Sequence, residues 1–286
     1  MTEFEWTRLL GTSDTDNATA LTTGSDGSIY IVGSTNGDLD GQTNNGAYDA
    51  FLTKFNPDGS KDWTRLLGTS VADVAYALTT GADGSIYVAG VTRGDLDGQT
   101  NNGGFGDAFI SKFNPDGTQG WTKLLGTSGI DEAKVLTTGT DGSIYIAGHT
   151  SGGDLDGQTF NGGHNDAFIS KFNPDGTQNW TRLLGSSDVD YAHALTTGAD
   201  GSIYIAGETL GDLDGQTNNA GSDAFPSLPS IKSFISKFNP DGTKDWTRIL
   251  GTSVASVADY IAGTQAYALT TGTDGSIYIA GDTNTD

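Results

Sequence analysis

AYALTTGADGSIYVAG, residues 75–90, sets two β-forming runs on either side of a Gly-Ala-Asp-Gly turn. ALTT is small and β-branched, and SIYVAG carries Ile, Tyr and Val. An Asp-Gly between two such runs reverses the chain into a hairpin. DGSIY also stands at 26–30, 141–145, 200–204 and 274–278, so the hairpin is expected five times. Each copy holds the same place in a longer unit. Trp6, Trp63, Trp121, Trp180 and Trp246 are spaced 57, 58, 59 and 66 residues apart, and each opens a near-copy of WTRLLGTS. In four units a DLDGQT loop follows the hairpin, at 38–43, 95–100, 154–159 and 212–217. DAFISKFNPDG or a close relative comes next, as at 107–117.

The unit therefore reads as four short strands. ALTTG and SIYIAG pair across the Asp-Gly turn, and DAFISKF alternates at period two. NPDG supplies a tight reversal, Pro presetting φ and Asp-Gly turning the chain, and WTRLLG is the fourth strand. Four-stranded antiparallel units repeated about five times indicate an all-β fold, a five-bladed β-propeller. A parallel β-solenoid would want shorter coils and fewer tight hairpins. The units run approximately 6–62, 63–120, 121–179, 180–245 and 246–286, within one domain spanning 1–286. The last unit stops after its second strand. The amino-terminal WTRLLG is expected to complete that blade as its outer strand, the alternative being a strand lent by a second chain. The chain is thus expected as a monomer or a strand-exchanged oligomer.

These motifs, W-x-x-x-L-G, A-L-T-T-x-x-D-G-S-I-Y-I-A-G-x-T and D-A-F-I-S-K-F-N-P-D-G in fixed order, resemble the bacterial SBBP β-propeller repeat, and the resemblance covers almost the whole chain. It implies a propeller and a surface or secreted scaffold, hence an extracytoplasmic or cell-surface setting. It transfers no catalytic residues. Most relatives are pictured as larger rings than five units.

Composition narrows the partners. The formal charge is −22, which repels phosphate backbones and anionic headgroups, so neither nucleic acid nor a membrane is an expected partner. Of the 36 acids 32 are Asp, a residue of turns and caps. With no cysteine there is no disulfide framework, thiol nucleophile or Cys-ligated zinc. MTEFEWTRLL shows neither a basic n-region nor an apolar h-region, so no signal peptide is expected in it.

In a four-stranded meander the connections alternate between two faces. The short Asp-Gly and NPDG turns share one; the acidic DLDGQT loops and the GTS crossovers share the other, which is the expected binding surface. Two positions there vary while their frames stay fixed. Before strand 3 stand Tyr48, Phe105, His164 and Ser222; in strand 1 stand Thr19, Tyr76, Lys134, His193 and Tyr267. Tyr48, Phe105, His164, Tyr76, His193 and Tyr267 are the candidate ligand contacts. Two insertions, 226–233 and 256–264, fall on the same face.

The loop acids Asp38, Asp40, Asp95, Asp97, Asp154, Asp156, Asp212 and Asp214 are the candidate metal ligands. From Asp38 the oxygen-bearing residues fall at positions one, three, five, seven and twelve, an echo of a calcium loop. Against this, Gly41 comes two positions early and the closing residue is Asp, not Glu. The competing reading is an Asx-type turn in which Asp caps backbone amides. Calcium is the sole cofactor suggested. His149, His164 and His193 hold different repeat positions and form no expected zinc site or triad. The expected function is therefore a non-enzymatic recognition or scaffold module binding a glycan or protein. A passive segment of a larger surface or secreted protein is the alternative, and a calcium-dependent enzyme ranks third.

Overall fold

The computed structural model describes residues 6–218, 231–250 and 264–283. Among them every regular element is a strand, and no helix is long and apolar enough to cross a membrane. The chain forms two compact units, Met1–Gly126 and Thr127–Asp286.

The first unit holds two sheets. One contains β1 (Asp16–Thr23), β2 (Ile29–Thr35), β3 (Asp49–Phe55) and β4 (Lys61–Leu67). The other contains β5 (Asp73–Thr80), β6 (Ile86–Thr92), β7 (Asp107–Phe113) and β8 (Gln119–Leu125). The second unit opens with β9 (Asp131–Thr138), β10 (Ile144–Thr150), β11 (Asp166–Phe172) and β12 (Gln178–Leu184). It continues with β13 (Asp190–Thr197), β14 (Ile203–Thr209), β15 (Lys232–Phe238) and β16 (Lys244–Leu250), and ends in β17 (Thr264–Thr271) and β18 (Ile277–Thr283). Each four-stranded sheet is an antiparallel meander in sequence order, as the repeat requires of a propeller blade.

Two expectations shift. The third strand of the fourth sheet is KSFISKF from Lys232, while Ser222 and the DAF at 223–225 lie outside the described residues. Most of both insertions lies outside them too. The amino-terminal WTRLLG is not in a strand, and among the described residues β17 and β18 pair only with each other. Trp6 nevertheless takes the place of a fourth-strand tryptophan. Its indole donates to Pro57 O at 3.3 Å and stacks on Phe55 at 6.3 Å. Trp63 donates likewise to Pro115 O, and Trp180 to Pro240 O. Each indole thus clamps the NPDG turn of the next sheet, which explains why Trp and NPDG recur together.

Strand alternation builds the seam between neighbouring sheets. In the first unit Tyr30, Val32, Leu52 and Leu67, from one face, meet Ile86, Val88, Phe109 and Phe113 of the next sheet. In the second unit Tyr145, Ile169, Trp180 and Leu184 meet Ile203, Ile205, Phe234 and Phe238. Burying such side chains stabilises by roughly 1.5–3 kcal/mol each, so these seams carry the packing energy.

The first strand of every described sheet is bulged. Register slips between Ala18 and Ala20, Ala75 and Ala77, Ala192 and Ala194, and Ala266 and Ala268, with the matching slip in β9. The extra residues are Thr19, Tyr76, Lys134, His193 and Tyr267. The bulge explains the glycine ending IYIAG: a Cβ on Gly207 would lie 1.8 Å from Tyr191 O, and one on Gly33 1.9 Å from Asn17 O.

Candidate ligand-binding site

The DLDGQT loop is a miniature hairpin. Asp40 and Gly41 both have positive φ, 53° and 76°, between bridged Leu39 and Gln42, as a two-residue Asp-Gly turn demands. Its leucine is buried: Leu96 joins the seam of the first unit and Leu213 that of the second. The acids go to protein donors. Asp38 accepts from Asn44 N at 2.9 Å, while Asp40 accepts from the Thr64 hydroxyl at 2.5 Å and pairs with Lys61. Asp97 and Asp156 accept from Thr122 and Thr181, and Asp214 from Lys244 and Thr247. Asp95, Asp154 and Asp212 each cap the backbone amide six residues on. The two acids of a loop thus serve different partners. Among the described residues no group of three or more His, Asp or Glu is gathered as a metal would need.

A second set of acids is fully buried. Asp49 and Asp166 open third strands; Asp73 and Asp190 open the first strand of the following sheet. Asp73 N donates to Tyr48 O and Asp190 N to Asn165 O, tying the two strand starts together. Burial raises the carboxyls of Asp49, Asp73 and Asp190, and Asp166 is pushed up to about 6 by burial and by the charge of Asp190. These hydrogen bonds also correct the alignment before strand 3. Tyr48 directly precedes its strand, but Phe105 and His164 stand two residues before theirs, so Asn165 rather than His164 is the counterpart of Tyr48. Tyr48 is half-buried, whereas Phe105 (73% exposed) and His164 face solvent.

The bulge residues do gather, in the second unit. The residue two before each bulge pairs across to strand 2: Glu132 with His149, Tyr191 with Glu208, Gln265 with Asp282. The first unit has Asn17 with Ser34 and Val74 with Val91 there. Sheets three to five therefore bear titratable and aromatic groups where sheets one and two are bland. Glu132 is ion-paired with Lys134 and lies 3.7 Å from His149 Nε2. His149 meets the Tyr191 ring edge-on at 4.7 Å, and burial lowers its pKa to about 4. Tyr191 stacks on His193 at 6.0 Å; His193 meets Tyr267 at 6.3 Å. His193 Nε2 lies 3.4 Å from Glu208 Oε1, and Asn165 Nδ2 donates to the Tyr191 hydroxyl at 2.7 Å. Burial, with the charges of Glu208 and Glu132, raises the Tyr191 hydroxyl.

Of the candidate contacts, His193 and Tyr267 come together here; Tyr76 occupies the bulge of β5 in the first unit. Glu132, Tyr191 and Glu208 escaped the sequence reading, and His149 was not among its candidate contacts. Their signal was divergence among copies at the position two before the bulge and at its cross-strand partner.

Residues 5–40 match the SBBP β-propeller repeat, and residues 24–64 match the β-propeller described as a domain of unknown function (DUF5122). The chain is similar to the regulatory protein FlaEY of Caulobacter vibrioides, 27% identical over 239 residues, which are 75% of this chain and 24% of the relative. It is also 25% identical over 169 residues to an uncharacterized WD repeat-containing protein of Acanthamoeba polyphaga mimivirus, covering 50% of this chain and 12% of that one. The chain thus spans a quarter or less of these relatives. Among solved structures, a catalytically inactive virginiamycin B lyase from Staphylococcus aureus aligns at 15% identity and TM-score 0.41, over 95% of this chain and 80% of that one.

Proposed function

We propose that this chain, built of SBBP-type β-propeller repeats, is a non-catalytic recognition module that binds a glycan at the bulge sector of its last three sheets. The observation that carries the reading is the row of rings Tyr191, His193 and Tyr267 flanked by Glu132 and Glu208. Aromatic faces stack on the apolar faces of sugar rings, while carboxylates and imidazoles take the hydroxyls. Bulges aim these side chains away from the ladder that holds them. The proposed architecture is five blades, supported by four antiparallel four-stranded sheets and the β17–β18 pair. An extracytoplasmic or cell-surface setting suits such a module, and the SBBP resemblance supports it. A glycan array probed with the wild type and the double variant His193→Ala/Tyr267→Ala tests the reading. Retained binding is expected for the wild type only, with unchanged melting. Equal signals from both proteins would refute the sector, and none from either would leave a passive scaffold.

A further inference from the structure

We propose that the open edge of β18 is a second binding site, which takes an extended segment of another polypeptide, of the pattern Phe-Ile-Ser-Lys-Phe, as an added antiparallel strand.

In the four-stranded sheets the second strand lies between two others, and in sheets two to four it is wholly buried. Among the described residues β18 pairs only with β17, and Tyr278, Ala280, Gly281 and Asp282 are exposed. Unpaired amides and carbonyls along such an edge invite another strand, and soluble proteins commonly blunt an edge with lysine or proline. The run IYIAGDT at 277–283 has neither. Edges of this kind bind extended peptides by strand addition, the main chain supplying affinity and the alternate side chains specificity.

The four complete sheets show what the added strand must carry. A lysine stands opposite the tyrosine each time: Lys54 across from Tyr30, Lys112 from Tyr87, Lys171 from Tyr145 and Lys237 from Tyr204. Lys112 and Lys171 lie over their tyrosine rings at 5.7 and 5.4 Å and pair with Asp83 and Asp141 of the Asp-Gly turn. In sheets one and four the lysine turns instead to Asp62 and Asp245 of the fourth strand. Tyr278 and Asp274 repeat the ring and the turn acid, but among the described residues no strand stands across from them to bring a lysine. Tyr278 is 57% exposed, where its four counterparts are buried. An apolar groove of about 150 Å³ lies beside it, lined by Ala268, Thr270, Tyr278 and Ala280. A cation over that ring and near that acid is favoured on both counts.

The flanking positions call for phenylalanine. Ile86 faces Phe113 and Gly90 faces Phe109, and both rings are buried. Ile277 and Gly281 hold the same places in β18, and Ile277 already packs with Ile279 against Tyr204, Ala206 and Ile235 of the fourth sheet. An entering strand would extend a seam that is half built. The sequence holds four such runs, at 51–55, 109–113, 168–172 and 234–238, and each is engaged in its own sheet, so another polypeptide supplies the segment. The formal charge of −22 favours a lysine-bearing one.

Fluorescence anisotropy of the full chain with an end-labelled peptide DAFISKFNP tests the proposal. Saturable binding is expected. Replacing the peptide lysine by glutamate, or the protein's Tyr278→Ala, should each weaken it about tenfold or more, the worth of the lost cation–ring contact and its packing. Tyr278 is an exposed ring, and an unchanged far-UV spectrum checks the fold. Peptides N-methylated at alternate residues, in the two possible phases, should differ: the phase that faces β18 abolishes binding and the other is tolerated. No binding of the parent peptide overturns the proposal, as does equal affinity for the lysine and glutamate peptides, for wild type and Tyr278→Ala, or for the two methylated phases. A chain that dimerises alone, and whose dimer the peptide does not dissolve, would give the edge to a second copy and overturn it too.

Discussion

Replacing Asp166 by Asn should stabilise the protein at alkaline pH and leave it nearly unchanged in acid. Asp166 is fully buried at the start of β11. Its Oδ2 accepts from Asn161 N at 2.8 Å and from Asn161 Nδ2 at 3.3 Å, but Oδ1 accepts nothing. Burial, together with the charge of Asp190, raises its pKa from 3.8 to about 6. The folded pKa thus lies above the unfolded one. The folded state holds the proton more tightly, so this contribution to stability is complete below the unfolded value and is lost as pH rises through about 6. Some two pH units at about 1.4 kcal/mol each make roughly 3 kcal/mol at most. An asparagine keeps an acceptor for the Asn161 amide and carries no charge to desolvate. Urea melts of Asp166→Asn at pH 8 and pH 4 should therefore differ: about 2 kcal/mol of stabilisation at the first, close to none at the second. Heated at pH 8, the variant should melt roughly 4–8 °C higher. A shift of the same size at both pH values, or a loss at pH 8, would show that Asp166 is not a strained carboxylate.

Gly207→Ala should destabilise the second unit by about 2–3 kcal/mol, since its Cβ would lie 1.8 Å from Tyr191 O; Gly41→Ala, whose Cβ meets nothing within 4 Å, should lose only the roughly 1–2 kcal/mol of its positive φ. Denaturant melts of the pair decide whether the bulge or the turn is the tighter constraint. Millimolar calcium should move the melting temperature by less than about a degree, because a metal at Asp40 must displace Thr64 and Lys61. A larger rise that Asp40→Asn removes would restore a metal at that loop. Deleting residues 1–11 should lower the melting temperature and promote association, for it strips Trp6 from Phe55 and Pro57; an unchanged melt would show that this segment seals nothing.

The strands were legible because the forces that make them are local. Asp-Gly and NPDG turns fix their own dihedrals, and period-two alternation names the buried face without knowledge of its partner. What lay beyond a local reading was longer in range. WTRLLG at 6–11 is not in a strand, and Trp6 seats on Phe55 and Pro57 of the first sheet. The DLDGQT loop was legible only in part, for a related reason. Asp38 caps Asn44 N within the loop, but the partners of Asp40, Thr64 and Lys61, lie more than 20 residues downstream, in strand 4 of the same sheet.

The candidate site was half legible, and the missing half follows from what repetition hides. His193 and Tyr267 stood out because a variable residue inside Ala-x-Ala is conspicuous, and the bulge supplies the physical cause: one residue per strand is free of the ladder and so free to change. Glu132, His149, Tyr191 and Glu208 vary just as freely, but on two strands whose register a linear reading does not line up. Once Glu132 pairs with His149 and Tyr191 with Glu208, the divergent positions fall side by side on consecutive sheets. A repeat array keeps its frame where stability demands it and varies where stability does not. Variation that clusters in space on three neighbouring sheets is hard to assign to drift. A serine or valine at the position of Glu208, as at Ser34 and Val91, satisfies the frame without the burden of a buried acid.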